Sequence, residues 1–263
     1  MCLHMNMRSF SQLPAISFAA LSLAIPPATL RGQEPSAAPA AVINLLDASL
    51  SKWETFIGVP HSTVTGLPEG TALSGDVTKG TPLGLNNDPE EVFTTVEEEG
   101  TTVLRVSGEI YGCVTTKAEF ANYHFKTEFK WGKQKWEPRL NAKRDSGILY
   151  HCTGDHGAFW NVWKSSLEYQ VQETDLGDFY PLAGTACHIP IRTDNDSRFF
   201  DTAFPWVQTN KHVYAVLEPD KPHGEWNLLE IYVLGDTAIH LANGEVVFAL
   251  KNATDRKGQS LVV

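Results

Sequence analysis

The sequence predicts an all-β chain, folded as a two-sheet antiparallel β-sandwich of the jelly-roll kind. Short apolar stretches with a two-residue period recur from Val92 onward. Gly, Pro, Asn and Asp separate them, and Asn243-Gly244 sits between two such stretches, 238–241 and 246–250, which is the strongest short-range hairpin signal. Helical periodicity is nowhere sustained, and no internal repeat is evident. Many short strands joined by Gly-rich turns pack as two stacked sheets, and a curved sheet in such a pair leaves a concave face suited to a sugar.

The elements follow in order. Arg8 precedes an apolar run over 13–30, and small and polar residues follow it, so residues 1–33 read as a secretory signal and the protein as secreted or periplasmic. Met5 and Met7 are alternative starts for it. Pro26, Pro27 and the short run argue against a permanent membrane anchor. Residues 34–41 (EPSAAPAA) are a linker, and 42–263 form one domain. A first strand and turn are expected over 45–53, and a long surface excursion rich in Gly, Pro, Thr and Asn over 58–91. Residues 103–106 make a short strand. Residues 123–131 alternate aromatic with polar side chains, as a half-buried strand does. Further strands are expected over 147–152, 167–172, 212–218, 226–234, 238–241 and 246–250. A sandwich calls for a closing strand, so either the C-terminus is truncated or residues 260–263 only begin that strand.

Composition narrows the partners. A formal charge of −10 argues against nucleic acid, whose phosphates need a basic face, and against docking on anionic lipid. The leader carries two arginines and no acid, so its removal makes the domain still more acidic. A neutral, hydroxyl-rich partner fits better. Cys2 leaves with the leader, and Cys113, Cys152 and Cys187 remain, enough for one bridge of open pairing and one free thiol. No Cys-x-x-Cys spacing supports a thiolate metal site or a redox motif.

Chemistry concentrates in residues 131–180. Four of the 7 tryptophans (Trp131, Trp136, Trp160, Trp163) lie there with His151 and His156. Aromatic faces beside carboxylates and amides suit a pyranose, whose C–H faces stack while its hydroxyls hydrogen-bond; the same tryptophans could equally be core. In Glu168-Tyr-Gln-Val-Gln172, the strand period puts Glu168, Gln170 and Gln172 on one face, with Tyr169 and Val171 on the other. That face is either a solvated surface or a wet pocket, and in a pocket Glu168 can act as base or nucleophile.

Lys143-Arg-Asp-Ser-Gly-Ile148, Leu167-Glu-Tyr-Gln-Val171, Trp226-Asn227 and Ile239-His240 before Asn243-Gly244 occur in series. Together they resemble the 3-keto-disaccharide hydrolases, also described as 3-keto-glycoside lyases and hydratases, over most of residues 42–250. The resemblance implies a concanavalin-like jelly roll. It also implies cleavage of 3-keto-glycosides: a ketone at C3 acidifies the hydrogen on C2, a base removes it, and the C1 substituent leaves the enolate. Water then adds to the 2-hydroxy-3-keto-glycal. On this reading Glu168 or His240 is the base, Gln170 and Arg144 donate to hydroxyl or enolate, and Asp145 and Ser146 shape the pocket. His151, Trp163, Glu173 and Trp226 complete the substrate-binding candidates.

Three alternatives stay open. A divalent ion on the C3 carbonyl would serve as Lewis acid, with ligands from His151, His156, Glu168, Glu173, Asp178 and His240, although no HxH or HExxH spacing is present. A laminarinase-like retaining glycosidase would use Glu168 and Glu173, brought to one face by a bulge, but Gln170 stands where that pattern has an aspartate. A carbohydrate-binding or lectin-like module would use the aromatic residues without catalysis.

Overall fold

The computed structural model describes residues 2–4, 42–72 and 74–261. Most of the leader and the linker lie outside these residues. The described chain is all β-strand, turn and loop. Its strands in order are β1 Cys2–His4, β2 Trp53–Ile57, β3 Gly84–Leu85, β4 Phe93–Glu98, β5 Thr101–Val106 and β6 Gly112–Thr116. Then come β7 Tyr123–Lys130, β8 Asp145–Thr153, β9 Ser165–Gln172, β10 Phe179–Leu182 and β11 Ala186–Asp194. The last are β12 Ser197–Phe200, β13 Trp206–Thr209, β14 Asn227–Leu234, β15 Thr237–Ala242 and β16 Glu245–Thr254.

One large antiparallel sheet runs β12-β11-β16-β15-β14-β7-β1-β5-β4, with β13 added on β11. The backbone of Cys2–His4 fills the place between β5 and β7. Two three-stranded sheets, β10-β9-β8 and β3-β2-β6, make the opposite layer. The arrangement is the two-layer sandwich that the alternation predicts. Its core is built from one side of each strand: Leu229, Ile231 and Val233 of β14 and Phe125 and Phe129 of β7 meet Leu167, Tyr169 and Val171 of β9.

The Asn243-Gly244 turn joins β15 to β16 as expected. Its asparagine also ties down neighbouring chain, because Asn243 Oδ1 accepts from the Leu228 amide and Nδ2 donates to Pro219 O and Asn227 Oδ1. Two expected strands differ. The first begins only at Trp53; Leu45 and Leu46 are buried but irregular, and Trp53 Nε1 donates to Leu45 O. Residues 212–218 form no strand; they cross the gap between layers, touching one with Val213–Phe179 and the other with Tyr214–Phe199. At the end of the chain Ser260 bridges Thr254 and the Leu261 amide bonds to Ala253 O, while residues 262–263 lie outside the described part.

Candidate active site

Among the described residues β8 pairs only with β9 and β6 only with β2. The other edges of β6 and β8 border one cavity of about 800 Å³, which wraps around the free edge of β8 and so meets both of its faces. Asp145, Gly147 and Leu149 line it from the outer face, and Ser146, Ile148 and Tyr150 from the core-facing side.

The register of β8, β9 and β10 builds the polar part of this cavity. Gln172 lies opposite Asp145, Gln170 opposite Gly147 and Glu168 opposite Leu149, while Tyr180 of β10 flanks Glu168 on its other side. Directly opposed residues share a face, so Asp145, Gln170, Glu168 and Tyr180 converge. Glycine at 147 leaves room for the carboxyl: a Cβ there would lie 2.2 Å from Glu168 Oε1, and Glu168 would have to move to admit it. Gln170 Nε2 donates to Asp145 Oδ1 at 3.0 Å, and Arg139 Nη2 pairs with Asp145 Oδ2 at 3.1 Å.

Two acceptors are left over. Gln170 Oε1 is buried with no hydrogen-bond partner among the described residues, and buried polar atoms ordinarily find one. The Glu168 carboxyl makes no hydrogen bond or ion pair among them either. Burial, and then the charge of Asp145, raise the Glu168 pKa to about 8. Burial raises Asp145 also, against the pull of Arg139 and of the Gln172 and Gln170 amides. Tyr180 is held above its ordinary range, by burial first and then by the neighbouring acids, and remains a donor. Behind it the His212 ring stacks at 4.0 Å, with His212 Nε2 bonded to Asp178 Oδ2 at 2.8 Å.

The structure brings together part of the residue set expected from sequence. Glu168, Gln170, Asp145, Ser146, Arg144, His151 and Trp163 all line the cavity. Within it, Arg144 is already committed: its Nη1 binds Glu173 Oε1 at 2.6 Å and its Nη2 donates to Lys133 O. His151 sits in a bulge of β8 with φ 51 and a buried Nε2 that has no partner among the described residues; burial lowers its pKa, so it is neutral.

Three residues are not brought there. His240 is fully buried on the core side of β9, its ring stacked on Tyr169 at 4.5 Å and its Nε2 bonded to Tyr150 Oη at 2.8 Å. Burial lowers its pKa to about 3, so it is a neutral core residue with the whole of β9 between it and the Glu168 face. Trp226 lies outside the cavity, under Lys130 Nζ at 4.7 Å. Glu173 is spent on Arg144, and the β8–β9 register runs without a bulge from Asp145–Gln172 to Leu149–Glu168. The bulge that a laminarinase-like pair needs is therefore missing, and the two glutamates do not share a face.

The metal reading meets the same difficulty. Among the described residues no group of three or more His, Cys, Asp or Glu side chains is placed to hold an ion. Asp178 is paired with His212, His156 with Thr115, and His240 is in the core. The residues present do not fit a divalent ion. Cys113, Cys152 and Cys187 are all free thiols.

Sequence reasoning missed Arg139, Tyr180 and Tyr111. Arg139 and Tyr111 come from irregular chain and a strand end, where no period marks them; Tyr180 lies in Phe179–Leu182, a strand of 4 residues, too short for a period to stand out.

Among the described residues no helix is long and apolar enough to cross a membrane. A search of curated proteins finds no match to the chain. One family model does match, over residues 42–261. By its description it is a family of glycoside cleavage, so the substrate class it brings is a carbohydrate. The matched range takes in every strand from β2 to β16, including the β8–β9–β10 register that gathers Glu168, Gln170 and Asp145; the chain belongs to the 3-keto-alpha-glucoside-1,2-lyase-like domain family.

Proposed function

We propose that this protein cleaves the glycosidic bond of 3-keto-glycosides by proton abstraction at C2, with Glu168 as the base. The observation that carries the reading is the Glu168 carboxyl: it lies in the cavity without a protein partner, and its pKa near 8 makes it an effective base around neutral pH. Glu168 takes the C2 hydrogen that the C3 ketone has acidified, and the electron pair forms the enolate. The enolate collapses to a C1–C2 double bond as the C1–O bond breaks. The leaving oxygen takes up a proton, and water added across the double bond returns the 3-keto sugar.

The other groups suit the remaining tasks. Arg139, fixed on Asp145, supplies positive charge beside the developing enolate. Tyr180, opposite Glu168 and still protonated at neutral pH, is positioned to donate to the leaving oxygen. Gln170 Oε1 is a free acceptor for a sugar hydroxyl. The leader-like N-terminal segment favours action outside the cytoplasm.

The test is release from a chromogenic 3-keto-glucoside and from its unoxidised parent, with and without EDTA. Release from the keto form alone, unchanged by EDTA, is expected. Release from the parent would overturn the elimination reading, and sugar binding without release from either would make the protein a binding module.

A further inference from the structure

Beyond the polar groups, the same cavity carries a run of aromatic rings that the cleavage step does not use. Tyr111 starts it at the polar end, where the charges of Arg139 and Asp145 act on its hydroxyl. Trp163 stacks on Tyr111 at 5.8 Å between ring centroids, Trp160 lies 5.8 Å from Trp163, and Phe159 stacks on Trp160 at 5.1 Å. All four rings line the cavity. The run leads outward to Trp160, which is 45% exposed.

The loop bearing these rings is held in a form that presents them. Trp160 and Asn161 are both left-handed, with φ of 51 and 56, a conformation rarely adopted by a bulky side chain and concentrated at functional positions. The chain is pinned around them. Phe159 and Trp163 exchange backbone hydrogen bonds, each at 3.0 Å. Asn161 Nδ2 donates to Thr78 O at 3.0 Å, which ties the loop to the 58–91 excursion. Val162 is fully buried against Gly58, where a Cβ would come within 2.4 Å of Val162 Cγ2. An exposed tryptophan on rigid, strained backbone is preorganised for a planar ligand.

We infer that Tyr111, Trp163, Trp160 and Phe159 form a leaving-group subsite for an aromatic aglycone. This rests on the cleavage proposed above, and it names the glycoside class the site takes: aryl 3-keto-glycosides in preference to alkyl ones. A second sugar would bring several hydroxyls to rings that offer only the Tyr111 hydroxyl and the indole N–H groups of Trp160 and Trp163. A flat arene needs only their faces, and offset or edge-on contacts suit it.

The test compares wild type, Trp160→Ala and Trp160→Phe on 4-nitrophenyl and methyl 3-keto-glucosides. Trp160→Ala is expected to lower kcat/KM on the aryl substrate by about five-fold more than on the methyl substrate, and Trp160→Phe to recover most of the difference. Equal losses on both substrates would overturn the subsite. A binding arm separates this from the cleavage reading: saturation-transfer NMR of the full chain with unoxidised 4-nitrophenyl glucoside. Saturation strongest on the aryl protons, and lost in Trp160→Ala, supports the subsite even if no substrate is cleaved. Saturation confined to the sugar protons overturns it even if cleavage occurs.

Discussion

The two faces of β9 carry similar chemistry to opposite ends. On one, Tyr169 donates from its hydroxyl to Leu241 O and stacks on His240, which is bonded in turn to Tyr150. His240 is fully buried and packs on Phe248, while Tyr150, which holds it, also lines the cavity from the core-facing side. On the other, one residue along the strand, Glu168 and Gln170 keep acceptors without partners beside a cavity of about 800 Å³. A histidine and tyrosines in the core raise stability and specificity of packing; a carboxyl and an amide with spare acceptors at a void await a ligand. Residue type alone does not separate the two, since a titratable group sits on each. Access does: His240 Nδ1 is itself left without a partner among the described residues, but it is buried in the core.

Substitution on each face tests the contrast. The largest effect is expected at Glu168: Glu168→Gln keeps the shape and removes the base, and turnover of a 3-keto-glucoside falls about 10³-fold with the fold intact. The pH profile comes next. The base works deprotonated, so kcat/KM climbs about tenfold per pH unit and levels off above the Glu168 pKa of about 8; a plateau already reached at pH 6 would contradict it. The smallest effect on activity is expected at His240. His240→Phe leaves the Tyr150 hydroxyl unpaired and costs about 2 kcal/mol of stability, measured by denaturant unfolding, while kcat of the folded protein stays within about twofold. The pH sign follows from the lowered pKa. The folded state binds fewer protons at His240 than the unfolded state between 6.5 and about 3, so stability is lost as pH falls through that window. His240→Phe lacks this loss, and its acid limb is flatter.

Much of this contrast was legible in sequence, and its limits are physical. The two-residue period of 167–172 puts Glu168 and Gln170 together on one face, and the register confirms it. No such period singles out His240: the resemblance alone makes it a candidate base, and the structure places it in the core. Gly147 leaves room for the Glu168 carboxyl, a fit visible only across two strands. Arg139 arrives from irregular chain, where nothing periodic marks it. The stretch 212–218 has strand-like residues but spends its hydrogen bonds on single bridges between the layers. Trp226 and Glu173 belong to the expected motifs, yet local partners, Lys130 and Arg144, absorb them.

The central claim, that Glu168 removes the C2 hydrogen, is tested most directly by hydrogen exchange. Methyl 3-keto-glucoside is incubated in D2O with wild type or Glu168→Gln, and deuterium at C2 is followed by NMR against the uncatalysed background. The account predicts rapid C2 exchange or elimination with wild type and background exchange alone with Glu168→Gln, although that variant still binds the sugar. Wild-type exchange rates in Glu168→Gln would place the base elsewhere in the cavity and contradict the account.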